Sequence, residues 1–252
     1  MHVPIVAGII PARYGSTRLP GKPLALIAGK PMIQRVYERC MESAVLASVC
    51  VATDDQRVID AVRGFGGQAV LTRRDHPSGT DRIAEVVRTL DADIIVNIQG
   101  DQPFIDPAMI DEVVGPLMAD SSVNISTLMY RITSEEDLAN PSVVKVVVDL
   151  YGNALYFSRS LIPYPREAIN HAVYEHVGTY AYRRETLLQL AMLPSTTLER
   201  AESLEQLRWL EHGLRVRVVE SLIPDRGFSG FSVDTPEDLA RAGNMVLERA
   251  VS

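Results

Sequence analysis

Residues 3–10 form an unbroken apolar run that stops at Pro11, the pattern of a strand buried on both faces. A loop rich in glycine, proline and cations follows over 11–22. Pro31 then opens a helix where its missing N–H costs nothing, with Ile33, Val36, Tyr37 and Cys40 on one stripe. Residues 48–53 read as a second strand, Asp54 and Asp55 as the start of the helix behind it, and a short strand ends near Leu71. Thr80 or Asp81 begins the helix that carries Ile83, Val86, Val87 and Leu90. Residues 93–99 give another apolar strand, closed by Gly100-Asp101-Gln102-Pro103. Strands alternating with helices at this rhythm predict an α/β fold, its mostly parallel sheet covered by helices on both faces.

The rhythm changes after about residue 121. Residues 124–131, 143–149, 154–158 and 177–183 read as strands with little helix between them, so a strand-rich subdomain is expected over roughly 122–183. Helices return over 185–192 and 203–212, then a strand over 215–220 and a last helix from Pro236 toward Arg249. No repeat, low-complexity tract or flexible linker interrupts the 252 residues, which predicts a single domain, 1–252, holding that subdomain.

Composition narrows the function classes. Hydrophobic residues at 46% and charged residues at 23% exclude wholesale disorder. A net charge of −7 argues against a nucleic-acid partner, which needs a basic face. No apolar run nears the roughly 20 residues of a membrane span, and Met1-His2-Val3-Pro4 lacks the character of a signal peptide. Cys40 and Cys50 make neither a disulfide framework nor a metal cluster, so a soluble cytoplasmic protein with reduced thiols is expected. His171, His176 and His212 are isolated, without zinc-site spacing. Lysine occurs only at positions 22, 30 and 145, which draws attention to Lys22.

Lys22 sits in the loop after the first strand, at the carboxyl edge where α/β sheets bind ligands. Gly15 and Gly21 let backbone N–H groups approach an anion, and Arg13, Arg18 and Lys22 add three positive charges. On an acidic protein this cluster suits a polyphosphate. It is neither a Walker loop, since Pro23 stands where Ser or Thr belongs, nor a dinucleotide fingerprint. Asp101, in the turn after an apolar strand, stands where a Mg²⁺ ligand would be needed. Asp234, ahead of Pro236-Glu237-Asp238, is by spacing alone better read as a helix N-cap. His76-Pro77-Ser78-Gly79-Thr80-Asp81 is a polar turn that could read a base edge or only cap a helix.

Taken together, several stretches resemble the CMP-Kdo synthetases, the 3-deoxy-manno-octulosonate cytidylyltransferase family. They are 9–14 through Gly21-Lys22-Pro23-Leu24, Ser78-Gly79-Thr80-Asp81-Arg82, Asn97-Ile98-Gln99-Gly100-Asp101 and Val233-Asp234-Thr235-Pro236. Tyr156-Phe157-Ser158-Arg159, His176-Val177-Gly178-Thr179-Tyr180 and Leu204-Glu205-Gln206 extend the resemblance over nearly the whole chain. The resemblance implies a Rossmann-like nucleotidyltransferase fold, Mg²⁺ dependence, and a homodimer built partly through the inserted strands. It assigns Arg13, Ser16, Arg18 and Lys22 to the CTP phosphates, and Arg73, Ser78, Gly79 and Gln99 to the rest of CTP. Asp101 and Asp234 become Mg²⁺ ligands, against the spacing-only reading of Asp234. Arg13, Lys22, Asp101 and Asp234 are the implied catalytic set. Gln99, Arg159, His176, Tyr180, Glu205 and Gln206 are the implied site of an acidic sugar. Adjacent residues on a helix diverge by about 100°, so Glu205 and Gln206 share a ligand only if it lies across the helix face.

The implied reaction joins CTP and Kdo to give CMP-Kdo and diphosphate, a step of lipopolysaccharide synthesis. Gln102 where the family commonly has Glu, Ser232 in place of a usual Gly, a longer 228–231 stretch and a shorter segment between Pro165 and His176 depart from the family pattern. They keep other acidic acceptors open: 8-amino-Kdo, another ulosonic acid, or a phosphonate such as phosphonoformate. A transferase using UTP or GTP, and a non-catalytic nucleotide-binding protein, are the more distant rivals.

Overall fold

In the computed structural model, which describes residues 2–16, 18–167, 171–223 and 231–251, the apolar run begins its strand at Val6. Val3 stays outside it, exposed. The chain divides into two compact units, one of Met1–Asp111 with Ile223–Ser252 and one of Glu112–Leu222. The strand-rich stretch 122–183 falls inside the second.

In the first unit β1 (Val6–Pro11) leads through a hairpin, β2 (Leu26–Ile27) and β3 (Lys30–Pro31), into α1 (Met32–Met41). The order continues β4 (Ser48–Thr53), α2 (Gln56–Gly64), β5 (Ala69–Leu71), α3 (Gly79–Val87) and β6 (Ile94–Asn97), with α4 (Pro107–Ala119) carrying the chain onward. The strands lie in the order β6-β1-β4-β5 and every pair is parallel. The chain therefore steps from β1 to β4 and β5 on one side, then returns to place β6 on the other. Between β1 and β6 the strand order reverses, and a crevice opens there at the carboxyl ends. Their register, Ile9 opposite Asn97, brings the loops after Pro11 and after Asn97 side by side.

Capping agrees with the sequence reading at α2 and differs at α3. Asp55 caps α2, its carboxylate accepting from the Arg57 N–H at 2.9 Å. The cap of α3 is Ser78 rather than Thr80 or Asp81, and the helix stops at Val87 before reaching Leu90.

The second unit holds β7 (Ile125–Arg131), α5 (Glu135–Ala139), β8 (Lys145–Val148), β9 (Ala154–Ser158) and β10 (Tyr174–Arg183). It continues with α6 (Arg184–Leu190), α7 (Thr197–Glu202), α8 (Gln206–Glu211) and β11 (Arg217–Glu220). β10 runs antiparallel to β7 and β8, β8 antiparallel to β9, and β11 parallel to β7. The helix expected over 203–212 is shorter, and α7 precedes it. Its N-terminus is marked by Thr196, whose N–H donates to Glu199 Oε2 at 3.1 Å, a pairing legible as T-x-x-E.

The last helix, α9 (Pro236–Val251), belongs to the first unit. Ala242 and Met245 pack with Leu19, Ile27, Met32, Phe104 and Val233 in one apolar cluster, with Leu239 and Val246 against it. Burying a side chain of this size stabilises by about 1.5–3 kcal/mol. An exposed ion pair gives about 0–1 kcal/mol, so the apolar cluster, not the charges beside it, fixes where α9 begins.

Candidate active site

Two chain segments far apart in sequence meet at the crevice beside β1. The Val233 N–H donates to the Asp101 carbonyl at 2.9 Å, and Val233 itself is fully buried in the apolar cluster. Asp234 is thereby held beside the turn after β6. A Cβ on Gly100 would lie 2.9 Å from the Pro11 carbonyl oxygen. Only glycine lets that turn press against the end of β1.

Thr235, not Asp234, caps α9. Its Oγ1 accepts from the Asp238 N–H at 3.1 Å, and its own N–H donates to Asp238 Oδ2 at 2.9 Å. This corrects the spacing-only reading of Asp234, whose carboxylate is left for the crevice. Lys22 Nζ donates to Asp101 Oδ2 at 2.7 Å and to Asp234 Oδ1 at 3.0 Å. Arg18 Nη2 reaches the same Asp234 oxygen at 2.9 Å, and Ser232 Oγ donates to Asp234 Oδ2 at 3.2 Å. Burial alone would raise the Asp234 pKa, but the bond and charge of Lys22, with Arg18 and Ser232, hold it below the ordinary carboxylate value.

The loop carrying Lys22 is ordered by its own residues. Gly21 takes φ 69°, and a Cβ there would meet the Tyr14 hydroxyl at 3.0 Å. The Tyr14 N–H donates to Asp54 Oδ1 at 3.2 Å, and the Arg57 guanidinium stacks 3.5 Å from the Tyr14 ring centroid. Asp55 grips Arg57 with both oxygens, at 2.8 and 2.7 Å, and hydrogen bonding to Arg57 pulls the Asp55 pKa down to about 2.

The crevice encloses about 380 Å³. Arg13, Ser16, Arg18, Lys22, Ser78, Gly79, Gln99, Asp101 and Asp234, all singled out from the sequence, line it together. Arg73 does not. Its side chain is mostly exposed and lies 3.6 Å from Glu85 and 3.7 Å from Asp75. Arg82 and His76 line the crevice instead. Arg82 is 4% exposed, bonded to Asp54 at 3.2 Å, and His76 pairs with Glu85. Arg82 was legible only as part of a motif.

Among the described residues no group of three or more His, Cys, Asp or Glu could hold a metal by itself. Two carboxylates that converge on one cationic group, in a cleft rich in cations, do match the one or two protein ligands Mg²⁺ takes when phosphates complete its shell.

The remaining acceptor candidates lie in the second unit, where Tyr180 and Gln206 are buried and Arg159, His176 and Glu205 half-buried. A bulge between Val177 and Tyr180 sets His176 opposite Met129 and Tyr180 opposite Thr127, and the two rings lie 5.3 Å apart. Burial depresses the His176 pKa to about 3, so the ring is neutral. Burial, aided by the Glu205 charge, pushes the Tyr180 hydroxyl well above its ordinary value. Gln206 is 6% exposed at the start of α8, with Glu205 as the preceding cap residue. Arg159 directs its donors at main-chain carbonyls: Nε to Glu202 at 2.7 Å, Nη1 to Pro141 at 2.9 Å and Nη2 to Ser203 at 3.5 Å. Glu202 returns the contact, accepting from Ser158 Oγ at 2.6 Å and from the Arg159 N–H at 2.9 Å. Glu202 carried no signal in the sequence. Of the family departures, 228–230 and the middle of the segment before His176 lie outside the described residues. Gln102 is 7% exposed.

The cytidylyltransferase family model matches residues 7–218. A 3-deoxy-manno-octulosonate cytidylyltransferase of Geotalea daltonii is 53% identical, the match covering 97% of each chain. Another with that name, from Geobacter metallireducens, is 53% identical over 93% of this chain and 94% of its own. Among solved structures, a CMP:2-keto-3-deoxy-manno-octonic acid synthetase complexed with CTP superposes with a TM-score of 0.90 at 47% identity, covering 97% of this chain and 99% of that one.

Proposed function

Because this chain belongs to the 3-deoxy-manno-octulosonate cytidylyltransferase family, we propose that it catalyses CTP + Kdo → CMP-Kdo + diphosphate with Mg²⁺. The observation that carries this reading is the meeting of Asp101, Asp234 and Lys22 in a cationic crevice at the switch point between β1 and β6. The sugar's C2 hydroxyl would attack the α-phosphorus in line as the bond to the leaving diphosphate breaks. No protein nucleophile is needed, since positioning and charge stabilisation supply most of the rate in such transfers. Arg13, Ser16, Arg18 and Lys22 would hold the polyphosphate and stabilise the departing diphosphate. The Ser78-Gly79 turn, floored by Arg82 and His76, is the part of the crevice suited to the base.

Asp101 and Asp234 would hold the metal. When bound, Mg²⁺ neutralises phosphate charge and lowers the pKa of the attacking hydroxyl. Gln99, Arg159, His176, Tyr180, Glu205 and Gln206 would receive the acidic sugar. The neutral His176 would contribute there as a hydrogen-bonding group rather than as a cation.

This reading puts the protein in the cytoplasm, in the supply of activated Kdo for lipopolysaccharide. Free, buried Cys40 and Cys50 are compatible with a reducing compartment, and no helix among the described residues is long and apolar enough to cross a membrane.

Diphosphate release tests the chemistry. CTP with Kdo should outpace UTP, GTP and ATP, and Kdo should outpace 8-amino-Kdo, sialic acid and phosphonoformate. A faster rival acceptor would move the reading to that acid, a faster rival nucleotide would remove the cytidylyl assignment, and CTP binding without turnover would favour the non-catalytic rival.

The chain also assembles, on this reading, as a homodimer through the second unit, where Leu150, Tyr151 and Leu155 stand exposed on and around the turn between β8 and β9. Sedimentation equilibrium should return twice the chain mass. A monomer at micromolar concentration would refute the dimer.

A further inference from the structure

The contacts of Lys22 bear on how the metal and the nucleotide arrive. We propose that the Lys22 ammonium closes the cation place between Asp101 and Asp234 until nucleotide phosphates draw it away, so that divalent cation and nucleotide bind cooperatively. The proposal rests on the reading of Asp101 and Asp234 as metal ligands and adds a claim about Lys22.

The Lys22 ammonium nitrogen is 2.7 Å from Asp101 Oδ2 and 3.0 Å from Asp234 Oδ1. That place cannot hold a divalent ion as well, because the ammonium already fills the space between the two carboxylates and two cations a few ångströms apart repel. The Lys22 side chain is only 14% exposed, against 65% for Arg18, which touches the outer flank of Asp234. Asp234 therefore has both oxygens engaged, Oδ1 by Lys22 and Arg18 and Oδ2 by Ser232. Without the ammonium, Asp101 would lose the cation that pairs with it, and Asp234 would keep only Arg18 and Ser232.

The closure is reversible because of what Lys22 is. A guanidinium would bind through a fixed planar fork, whereas an ammonium is a compact charge on a flexible stem. Lys22 lines the crevice together with Arg13 and Ser16, so the same stem can turn from the carboxylates toward a phosphate. Nucleotide phosphates offer it a stronger anionic partner and at the same time supply the ligands that two aspartates cannot. The apparent affinity of the metal for the empty protein is then lowered by the fraction of molecules in which Lys22 has left. By linkage, whatever nucleotide gains from metal, metal gains from nucleotide.

Mn²⁺ binding to the full chain, followed by the EPR signal of the free ion and by thermal melting, tests this without relying on turnover. Wild type should bind Mn²⁺ weakly alone, and more tightly with CTP than CTP binds it in buffer. K22M and K22Q, without nucleotide, should bind Mn²⁺ about tenfold tighter or more than wild type. Both should melt lower than wild type in chelator and recover when Mn²⁺ is added. K22R, which keeps the charge, should stay as weak as wild type.

Should neither neutral variant bind Mn²⁺ more tightly than wild type while the ternary complex with CTP forms, the gate is refuted and the metal reading stands. K22R binding as tightly as K22M would also refute it. If wild type with CTP gains no Mn²⁺ site at all, the metal reading fails and takes the gate with it. K22Q, one atom shorter than lysine and polar at its tip, serves should K22M not fold.

Discussion

The crevice of the first unit and the cluster of the second unit use the same residue types in opposite ways. In the crevice, Arg18 and Lys22 spend their charge on side chains, Asp101 and Asp234, that are themselves partly open to solvent. In the second unit Arg159 spends its donors on three main-chain carbonyls, and His176 is buried deeply enough to stay neutral. Charges in the crevice are available to a ligand, because a stronger anion or cation can displace their present partners. Polar groups in the second unit are already part of the fold, so a ligand there meets a shape set in advance. Substitutions of crevice residues outside the Lys22 ion pairs should therefore change binding with little change in stability, and those in the cluster should change both.

A matched pair of variants would break this contrast most directly. Arg13 lines the crevice and is exposed. Arg13→Ala should lower kcat/KM for CTP by about 10- to 100-fold, the scale of one lost charge-assisted contact, and leave the melting temperature unchanged. Arg159→Ala should raise the acceptor KM with the CTP KM unchanged. It should also lower the melting temperature, because the part-buried Glu202 carbonyl left without its donor costs about 1 kcal/mol, and each kcal/mol is worth about 2–4 °C at this size. Equal melting temperatures for the two variants would erase the distinction.

The titration of His176 sharpens the contrast on a smaller scale. Its folded value of about 3 lies below the ordinary 6.5, so between those pH values the unfolded chain binds a proton that the folded chain refuses. Stability from this group is complete above pH 6.5 and falls with acidification, by at most about 1.4 kcal/mol per pH unit. Denaturant unfolding at pH 7, 6 and 5 should show a shallower loss in His176→Phe than in wild type. Parallel curves would mean that the ring is not held neutral.

The same contrast explains what was legible in the sequence. The parallel alternation could be read from apolar runs closed by Pro11 and Gly100, and the cationic crevice loop from its glycines, arginines and Lys22. These signals are local. The pairing of Asp101 with Asp234 is not, since it depends on the Val233 N–H finding the Asp101 carbonyl and on an apolar cluster drawn from three distant stretches, 19–32, 104 and 233–245. Spacing alone favoured a cap at Asp234, and only the motif resemblance pointed to the crevice. Thr235 takes the capping role because its hydroxyl and the Asp238 carboxylate bond reciprocally, a choice between neighbours that composition does not make. Glu202 and Arg57 were missed for the same reason. Glu202 holds Ser158 and Arg159, and Arg57 stacks on Tyr14, through contacts that nothing in the flanking sequence records.

The account as a whole stands on Asp101 and Asp234 working as one unit. Diphosphate release by Asp101→Asn, Asp234→Asn and the double variant, at saturating CTP and acceptor, measures that directly. Each single change should lower kcat by about 100-fold or more, and the double variant should be little worse than the weaker single, as for groups that share one task. A double variant whose loss equals the product of the two singles, or an Asp234→Asn enzyme close to wild type, would contradict it.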